Sequence, residues 1–530
     1  MYALIITIAA AIVAVSYFVV LPIIEYFRDR KGLRRFPNLS PLAALTDLVW
    51  MNEASKRGIR SKTLYEIHKT HPVVRIGPNM LSYGTVQAIK DIYGHGTKCL
   101  KGDMYTALMG SHAHLADVQD KDEHSRKRKV LAASYALQNL ENWEFKVADK
   151  TERFIRGCDR ACTTPPGPQK LMRPDPQDLT FDYRLWANLF TVDAIADIGL
   201  SEKLGLLDQG HDLVTAELMD GTLLQVPFRA CLHATAMAQS HLVWSFNWFH
   251  FNSKLSRWLS PYYRQLWKLN EGWNGAVWHR AMKRLRRWRA GERPNDFFQA
   301  LMEDKSGRAH NLEWGEIVAE VSIMMNAGSD TTAIAMNNVV YHLLRNRSCL
   351  ERVRAEIDSV LDEDEMVAPY DKVRHLPYLR ACLDESHRLT PPTAFPLPRK
   401  TPPEGAQIAG QFIPGGTNVG VSAYVAHRDP TVFPDPEAFK PDRWLGEKGK
   451  ELQPYFITFS AGARGCIGRN ITYLEQTVLL ASVLHRYDFA LPHPQWEQER
   501  WETFNLMPGP LPLKVWRRDL AGEDVLPEKC

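Results

Sequence analysis

A cysteine set among glycines is the part of the sequence best suited to chemistry. The run over residues 459–468 reads Phe-Ser-Ala-Gly-Ala-Arg-Gly-Cys-Ile-Gly, and apolar residues at helical spacing follow it from Ile471 to His485. Cys466 is therefore expected just before a helix, where backbone N–H groups and the positive helix end favour a thiolate. The glycines admit a flat partner, and the arginine favours a second anion. The pattern indicates a loop that binds haem iron through sulfur; a buried cysteine in a glycine-rich turn is the alternative.

This run resembles the haem loop of the cytochrome P450 monooxygenases. Every fixed position of the family pattern F-x-x-G-x-R-x-C-x-G is present. The resemblance implies that Cys466 is the axial ligand of the iron in haem b. It also implies that Phe459, Arg464 and Gly468 contact the same cofactor.

A second informative stretch lies inside a long helix predicted over residues 311–344. It reads Ala-Gly-Ser-Asp-Thr-Thr over residues 327–332. Glycine costs about 1 kcal/mol in a helix interior relative to alanine, and a buried aspartate needs partners. We expect a local widening of the helix that frees a backbone carbonyl. The stretch resembles the A-G-x-D-T oxygen-activation motif of the same family, which implies that Thr331 holds bound oxygen and water and Asp330 passes protons. A plain helix carrying a threonine pair is the alternative.

Glu385 and Arg388 are three residues apart in a helix predicted over residues 375–389. Alone, this spacing describes a surface ion pair worth about 0.3 kcal/mol. The later run Pro-Asp-Arg-Trp at residues 441–444 resembles the family's P-E-R-F, which implies that Arg443 joins the pair under the haem. A buried charge triad is destabilising unless it is fully hydrogen-bonded. We therefore expect these three side chains to fix the core behind the cysteine loop.

Basic side chains are expected at the edge of the haem. His124 and Arg128 are four residues apart and share a helix face. In the family this pair is W-x-x-x-R and binds a propionate; histidine in the first position can still donate a hydrogen bond. The resemblance also implies that Arg399 meets a propionate. Other basic residues of the same helix form either a solvated face or a docking surface for an acidic reductase: Arg126, Lys127 and Lys129.

Substrate contacts are predicted from the resemblance as well. Five residues are expected to border the substrate: Asn326, Ala327, Phe395, Leu397 and Leu506. Asn326 could hydrogen-bond a phenol or a carboxylate, with helix packing as the alternative. The aromatic run at residues 242–251 is too apolar for an ordinary surface helix. It is expected to roof the pocket and to touch the membrane, with core packing as the alternative.

The first residues predict a membrane anchor. Residues 2–24 carry no charge and are long enough to cross a hydrocarbon core of about 30 Å. Basic residues follow from Arg28 to Arg35 with none on the other flank, which predicts a cytosolic body. A cleaved signal peptide is the alternative. Together with the resemblance, this predicts a single-pass protein of the endoplasmic reticulum membrane.

Composition and length restrict the remaining classes. A net charge of +4 over 530 residues gives no indication of nucleic acid binding, and eight cysteines without paired spacing fit a reducing compartment. The resemblance implies a mainly α fold with a smaller β-rich part near its amino-terminal half. We expect a membrane anchor at 1–26, a basic, proline-containing linker at 27–45, one haem-thiolate monooxygenase domain at 46–520 and a tail at 521–530, in a monomer.

These features predict a monooxygenase that uses O₂ and electrons from NADPH. The electrons are expected from a separate NADPH-cytochrome P450 reductase, with cytochrome b5 as a further candidate donor, since no flavin or nucleotide fingerprint occurs in the chain. The expected substrate is small, hydrophobic and aromatic, such as a benzoate, phenol, cresol or polyketide product of fungal secondary metabolism. The alternatives are a terpenoid or larger polyketide as substrate, a haem-thiolate isomerase or dehydratase without O₂ activation, and a haem-binding sensor or carrier.

Overall fold

The computed structural model describes residues 2–136, 139, 141–166 and 173–520, so the predicted tail at 521–530 lies outside the described residues. Most of the described chain is helical. The α-helices are α1 Tyr2–Val15, α2 Leu21–Arg28, α3 Leu48–Ser55, α4 Arg60–His68, α5 Gln87–Tyr93, α6 Asp103–Leu108, α7 Lys121–Ala132, α8 Glu144–Ala161, α9 Tyr183–Leu200, α10 Leu206–Gln209, α11 Phe228–Leu242, α12 Phe249–Leu259, α13 Pro261–Arg289, α14 Phe297–Met302, α15 Trp314–Arg345, α16 Arg347–Asp358, α17 Tyr370–Val373, α18 Pro377–Leu389, α19 Ala423–Ala426, α20 Gly446–Leu452 and α21 Arg469–Arg486.

Short strands form five small sheets. The strands are β1 Val73–Gly77, β2 Met80–Tyr83, β3 Leu100–Lys101, β4 Phe181–Asp182, β5 Leu213–Glu217, β6 Leu223–Pro227, β7 Arg399–Lys400, β8 Ala406–Ile408, β9 Gln411–Ile413, β10 Asn418–Val421, β11 Tyr487–Ala490, β12 Arg500–Glu502, β13 Leu506–Pro508 and β14 Pro512–Arg517. The largest sheet has the order β1-β2-β10-β7-β3, and only the β2–β10 pair in it is parallel.

The β-rich part begins in the amino-terminal half, near which it was predicted, and extends beyond it. Strands β7 and β10 return from the carboxy-terminal half and complete the sheet begun by β1 and β2. The parallel pairing of β2 with β10 joins segments more than three hundred residues apart. No local pattern reports such a pairing, because strand propensity describes one segment and not its partner.

Three helices form the centre of the main core. Nearly every residue of α9 and most residues of α21 are buried, polar ones included, so both helices lie inside the core. Helix α15 crosses them and becomes buried after its first turns. The three helices predicted over residues 311–344, 375–389 and 471–485 correspond to α15, α18 and α21, so their existence and type are confirmed.

The amino-terminal helices lie outside this core. A 22-residue stretch from Thr7 to Arg28 is long and apolar enough to cross a membrane, and none of it is buried against the protein. It therefore fits a membrane anchor. Near its middle, the rings of Tyr17 and Phe18 lie 5.6 Å and 5.4 Å from the ring of Trp248.

The aromatic run at residues 242–251 divides between core and surface. Trp244 and Phe249 are buried, whereas Phe251 is 54% exposed. The exposed apolar surface continues along α12 to Trp258, which is 76% exposed, and Leu259. Core packing therefore applies to Trp244 and Phe249, and membrane contact by the exposed part stays a prediction.

Candidate active site

The cysteine loop folds back on itself before α21. The Cys466 N–H donates to the Phe459 carbonyl at 2.8 Å, and the Gly465 N–H donates to the Gly462 carbonyl at 3.0 Å. Gly462 has a φ of +63°, and a Cβ there would collide with the carbonyl of Tyr93. Glycine is required at this position for both reasons.

The Cys466 sulfur faces the beginning of α21. The N–H groups of Gly468 and Arg469 hydrogen-bond it. Desolvation by the surrounding protein atoms is the largest effect on the Cys466 thiol and raises its pKa. The two amides and the charges of Arg128 and Arg469 act in the opposite direction but do not cancel this effect. Among the cysteines that the structure describes, Cys466 alone is exposed; the others are buried or half-buried. An accessible sulfur with amide donors is suited to binding a metal as a thiolate.

Five basic side chains gather beside this loop: Lys101, His124, Arg128, Arg399 and Arg464. Burial, and then the positive charges of the other four, lowers the pKa of His124 to about 4. Burial and the charge of Arg399 lower the pKa of Arg464 to about 10. These shifts mean that like charges are held close together, which favours an anionic partner for the group. The structure thus brings together His124, Arg128, Arg399 and Arg464, the four basic residues selected from the sequence.

Lys101 was missed by the sequence analysis. It lies in β3 directly opposite Arg399 in β7. Burial is the main cause that lowers the pKa of Lys101 well below its usual value, and the charges of Arg399 and Arg464 lower it further. A lone lysine in a two-residue strand carries no motif, so only the strand pairing reveals its role in the cluster.

Two of the basic residues also hold the loops in place. Arg128 donates from Nη1 to the Gly465 carbonyl at 2.8 Å, directly before Cys466. Arg464 donates to the carbonyls of Val118 at 2.7 Å and Gln119 at 2.8 Å. The cluster therefore ties α7 and the segment before it to the cysteine loop.

The widening predicted in α15 is not present. The helix is α-helical at every residue from Trp314 to Arg345. The Ala327 carbonyl instead accepts a hydrogen bond from the Thr331 hydroxyl at 2.7 Å. Gly328 is explained by packing, because a Cβ there would lie 2.7 Å from the side chain of Ile195 in α9. The glycine allows close contact between two helices and does not distort either.

Asp330 in α15 accepts hydrogen bonds from four neighbouring side chains. Its Oδ1 atom accepts from Arg184 at 2.7 Å, His233 at 3.1 Å and Asn188 at 3.3 Å, and its Oδ2 atom accepts from Asn505 at 3.3 Å. Burial alone would raise the pKa of the Asp330 carboxyl, but the charges of His233 and Arg184 and their hydrogen bonds hold it far below its usual range. The carboxylate is therefore ionised and compensated in the core.

Glu385, Arg388 and Arg443 are brought together as the motif predicts. Arg388 donates two bonds to the Glu385 carboxylate, at 2.8 Å and 2.9 Å, and Arg443 donates one at 3.2 Å. The Trp444 indole donates another at 2.9 Å and the Lys440 N–H one at 2.8 Å. The side chains of Glu385 and Arg388 are fully buried. The family's phenylalanine position thus holds a tryptophan that supplies an extra donor.

The residues predicted to border the substrate have different surroundings. Ala327 is exposed and Asn326 is half-buried, and the Asn326 amide makes no side-chain hydrogen bond to another described residue. Phe395 and Leu397 line one small cavity, although Phe395 also packs edge-on against Trp244. Leu506 is buried and its N–H donates to the backbone of the segment before Phe395.

The basic helix offers less free charge than the sequence indicates. Lys127 is buried and pairs with Glu316 at 2.5 Å and Glu320 at 3.2 Å. Arg126 also reaches Glu316. Only Lys129 of the three is exposed without an ion pair to a described residue. Of the three residues predicted to form a docking surface, only Lys129 therefore presents a charge that is not already paired with a described carboxylate.

The donor set fits a haem. An accessible sulfur with two amide donors can bind iron, and a cationic cluster with its own repulsion can hold two carboxylates. Glycines on both sides of Cys466 carry no side chain that would keep a flat ring away from the sulfur.

Comparisons with known proteins agree with this arrangement. The family model of cytochrome P450 matches residues 37–515. A cytochrome P450 monooxygenase of Aspergillus terreus is 29% identical over 509 residues, covering 90% of this chain and 94% of the relative. A benzoate 4-monooxygenase of Aspergillus niger is 27% identical over 498 residues, covering 93% and 94%. The pisatin demethylase of Fusarium vanettenii is 29% identical over 492 residues, covering 89% and 88%.

The family match extends over both halves of the site, from the basic cluster to the cysteine loop. The predicted fold class and enzyme class are confirmed, and membership implies haem, molecular oxygen and an electron donor. The chain belongs to the cytochrome P450 family of monooxygenases.

Proposed function

We propose that the chain hydroxylates a small aromatic acid or phenol with haem b bound through the Cys466 thiolate. The accessible Cys466 sulfur at the start of α21, hydrogen-bonded by two backbone amides, is the observation that carries the proposal. A haem with a thiolate ligand supplies activation of O₂ by O–O cleavage. Phe459 and Gly468 would contact the haem beside the ligand.

The basic cluster would hold the two propionates. Lys101, Arg399 and Arg464 would donate hydrogen bonds from their basic groups, and Arg128 and His124 would add N–H donors from α7. Binding two carboxylates would relieve the repulsion among these groups. Without an anion, burial and the neighbouring cations lower the pKa of His124 to about 4, and a bound propionate would raise this pKa again.

Two residues of helix α15, Asp330 and Thr331, would act on the bound oxygen and on the protons that it consumes. The Thr331 hydroxyl lies on the Ala327 carbonyl and can donate to bound oxygen by rotating away from it. Asp330 provides a fixed negative charge one residue earlier. Its strong pairing means that it acts as an ionised relay and not as a store of protons.

The aromatic substrate class is supported by two observations. One relative is named as a benzoate 4-monooxygenase, and the Asn326 amide of this chain has no described side-chain partner. A half-buried amide can orient a carboxylate or a phenol by hydrogen bonding. Ala327, Phe395, Leu397 and Leu506 would supply apolar contacts.

Electrons would come from NADPH through a separate flavoprotein reductase of the endoplasmic reticulum membrane, with cytochrome b5 as a second donor. The apolar helix Thr7–Arg28 supports membrane attachment, and the basic residues after it support a cytosolic body. The exposed apolar residues of α12 would rest on the same membrane surface. Protease added to sealed microsomes should therefore digest the domain but spare the anchor.

A binding and turnover screen tests the function. Benzoates, cresols, aromatic polyketides and terpenes are added to the haem-loaded chain, and each spectral change is followed by product analysis with NADPH, reductase and O₂. We expect aromatic acids or phenols to bind and to gain one oxygen atom, and Asn326→Ala to weaken them selectively. A response to terpenes alone would contradict the substrate class. Turnover without NADPH or O₂ would indicate an isomerase or dehydratase.

A further inference from the structure

We propose that His233 delivers the protons of the reaction to Asp330. This inference rests on the proposed monooxygenase function and adds a residue to it. His233 lies in α11, and its Nε2 atom is 3.1 Å from Asp330 Oδ1. Neither a sequence motif nor its position in the chain singles it out.

Chemistry separates His233 from the other partners of Asp330. The guanidinium of Arg184 has donors and no acceptor, and the side-chain amides of Asn188 and Asn505 are neither acids nor bases in water. An imidazole has two ring nitrogens, so it alone among these four groups can take up a proton at one atom and release one at the other. Any proton that reaches Asp330 through a bonded side chain must therefore pass through His233.

Solvent exposure also distinguishes His233 from the other partners of Asp330. The side chain of His233 is 28% exposed, whereas those of Arg184 and Asp330 are 4% and 5% exposed. Asn188 and Asn505 are also buried. Among the described partners of Asp330, only the His233 ring both meets solvent and bonds the carboxylate.

The geometry leaves His233 free to exchange its proton. Arg184 and Asn188 project from α9 and hold Asp330 Oδ1 without help, so the carboxylate keeps its place when the His233 bond breaks. Thr331 follows Asp330 directly on α15 and is half-buried, whereas Asp330 is buried. A proton can then move from the His233 ring to Asp330 and on towards the Thr331 hydroxyl.

The stoichiometry requires such a supply. One turnover converts RH, O₂, two electrons and two protons into ROH and water, with the electrons drawn from NADPH. With hydrogen peroxide as the oxidant, RH and H₂O₂ give ROH and water, and no proton from outside is consumed. The two routes therefore differ in their demand on a proton relay.

The test compares these two routes in the full-length haem-loaded chain, with benzoate and p-cresol as probes. His233→Gln keeps a donor near Asp330 but cannot carry a proton. We expect its NADPH-driven product rate to fall about ten-fold or more, with more hydrogen peroxide released per NADPH and a larger solvent deuterium isotope effect. Its peroxide-driven rate should stay close to that of the unmodified chain.

A second histidine serves as the matched control. His279 lies 3.1 Å from Glu217 and is 19% exposed, so it forms a similar histidine–carboxylate pair that does not involve Asp330. His279→Gln should leave both rates and the isotope effect unchanged.

Two results would overturn the inference. In one, His233→Gln keeps the NADPH-driven rate and the isotope effect of the unmodified chain. In the other, its two rates fall in parallel, which would indicate a structural role. If the unmodified chain forms no product by either route and shows no thiolate-type spectrum, the proposed function fails and the inference fails with it.

Discussion

Lys101 and Arg399 lie directly opposite each other in the antiparallel strands β3 and β7. Two cations at paired positions repel each other unless an anion lies between them. The charges of Arg399 and Arg464 both act to lower the pKa of Lys101. The pairing is therefore unfavourable without an anion and would become favourable if two propionates were bound beside it, as proposed.

Replacing Lys101 by methionine should have opposite effects on the two forms. The haem-free chain should gain stability because the repulsion is relieved. The haem-loaded chain should release haem about ten-fold faster, since a hydrogen bond between charged groups contributes about 1.5–3 kcal/mol. Thermal midpoints of both forms and haem transfer to a scavenger protein measure this. Lys129→Met, at an exposed position, is the control, and equal destabilisation of both forms would contradict the account.

Two substitutions at the Glu385 site should show that breaking an ion pair costs more unfolding free energy than losing one hydrogen bond. Glu385→Gln leaves the buried Arg388 and the half-buried Arg443 without their anion and should cost about 3–5 kcal/mol of unfolding free energy. Trp444→Phe removes one of several donors and should cost about 1–2 kcal/mol. Urea unfolding measures both, with the exposed Trp258→Phe as control. A larger loss for Trp444→Phe than for Glu385→Gln would refute this ordering.

Much of the site was predictable because its motifs are local. The spacing around Cys466 specifies a turn before a helix, and Glu385 with Arg388 specifies a pair on one helix face. The partners that complete these motifs were not predictable. Lys101 joins Arg399 through strand pairing, and His233 reaches Asp330 from another helix. Sequence spacing carries no information on contacts between distant segments.

Gly328 shows how a correct motif can receive a wrong physical reason. From the sequence, only the low helix propensity of glycine was known, and it suggested that the helix is distorted at this residue. Its actual reason is the side chain of Ile195, which occupies the space that a Cβ would need. Such a close approach between helices depends on the tertiary packing.

The Thr331 hydroxyl should control how much product each NADPH yields. Thr331→Val keeps the shape but removes the hydroxyl that lies 2.7 Å from the Ala327 carbonyl. Product per NADPH should fall about ten-fold, while Thr331→Ser should stay near the original value. The adjacent Thr332, bonded to Thr472 at 3.0 Å, provides the control. If Thr332→Val uncoupled the reaction as strongly, Thr331 would have no special role.

Acid should destabilise the protein through buried neutral histidines. Burial is the main cause that lowers the pKa of both His387 and His427 to about 3. Below about pH 6.5 the unfolded chain binds protons that the folded chain does not, so stability falls from there towards pH 3. Each residue should cost about 2 kcal/mol between pH 6.5 and pH 5.

Thermal midpoints of the haem-loaded chain in detergent, taken at intervals from pH 7 to pH 5, measure this loss. His387→Gln should reduce the slope, and the exposed His95→Gln should not. A midpoint independent of pH over this range would disprove the prediction.

The haem-thiolate assignment is tested most directly by the carbon monoxide spectrum of the reduced protein. The unmodified chain should show the Soret band at the thiolate position, and Cys349→Ser, at a half-buried cysteine, should keep it. Cys466→Ser should lose that band. A thiolate-type band that survives in Cys466→Ser would contradict the assignment of Cys466 as the iron ligand.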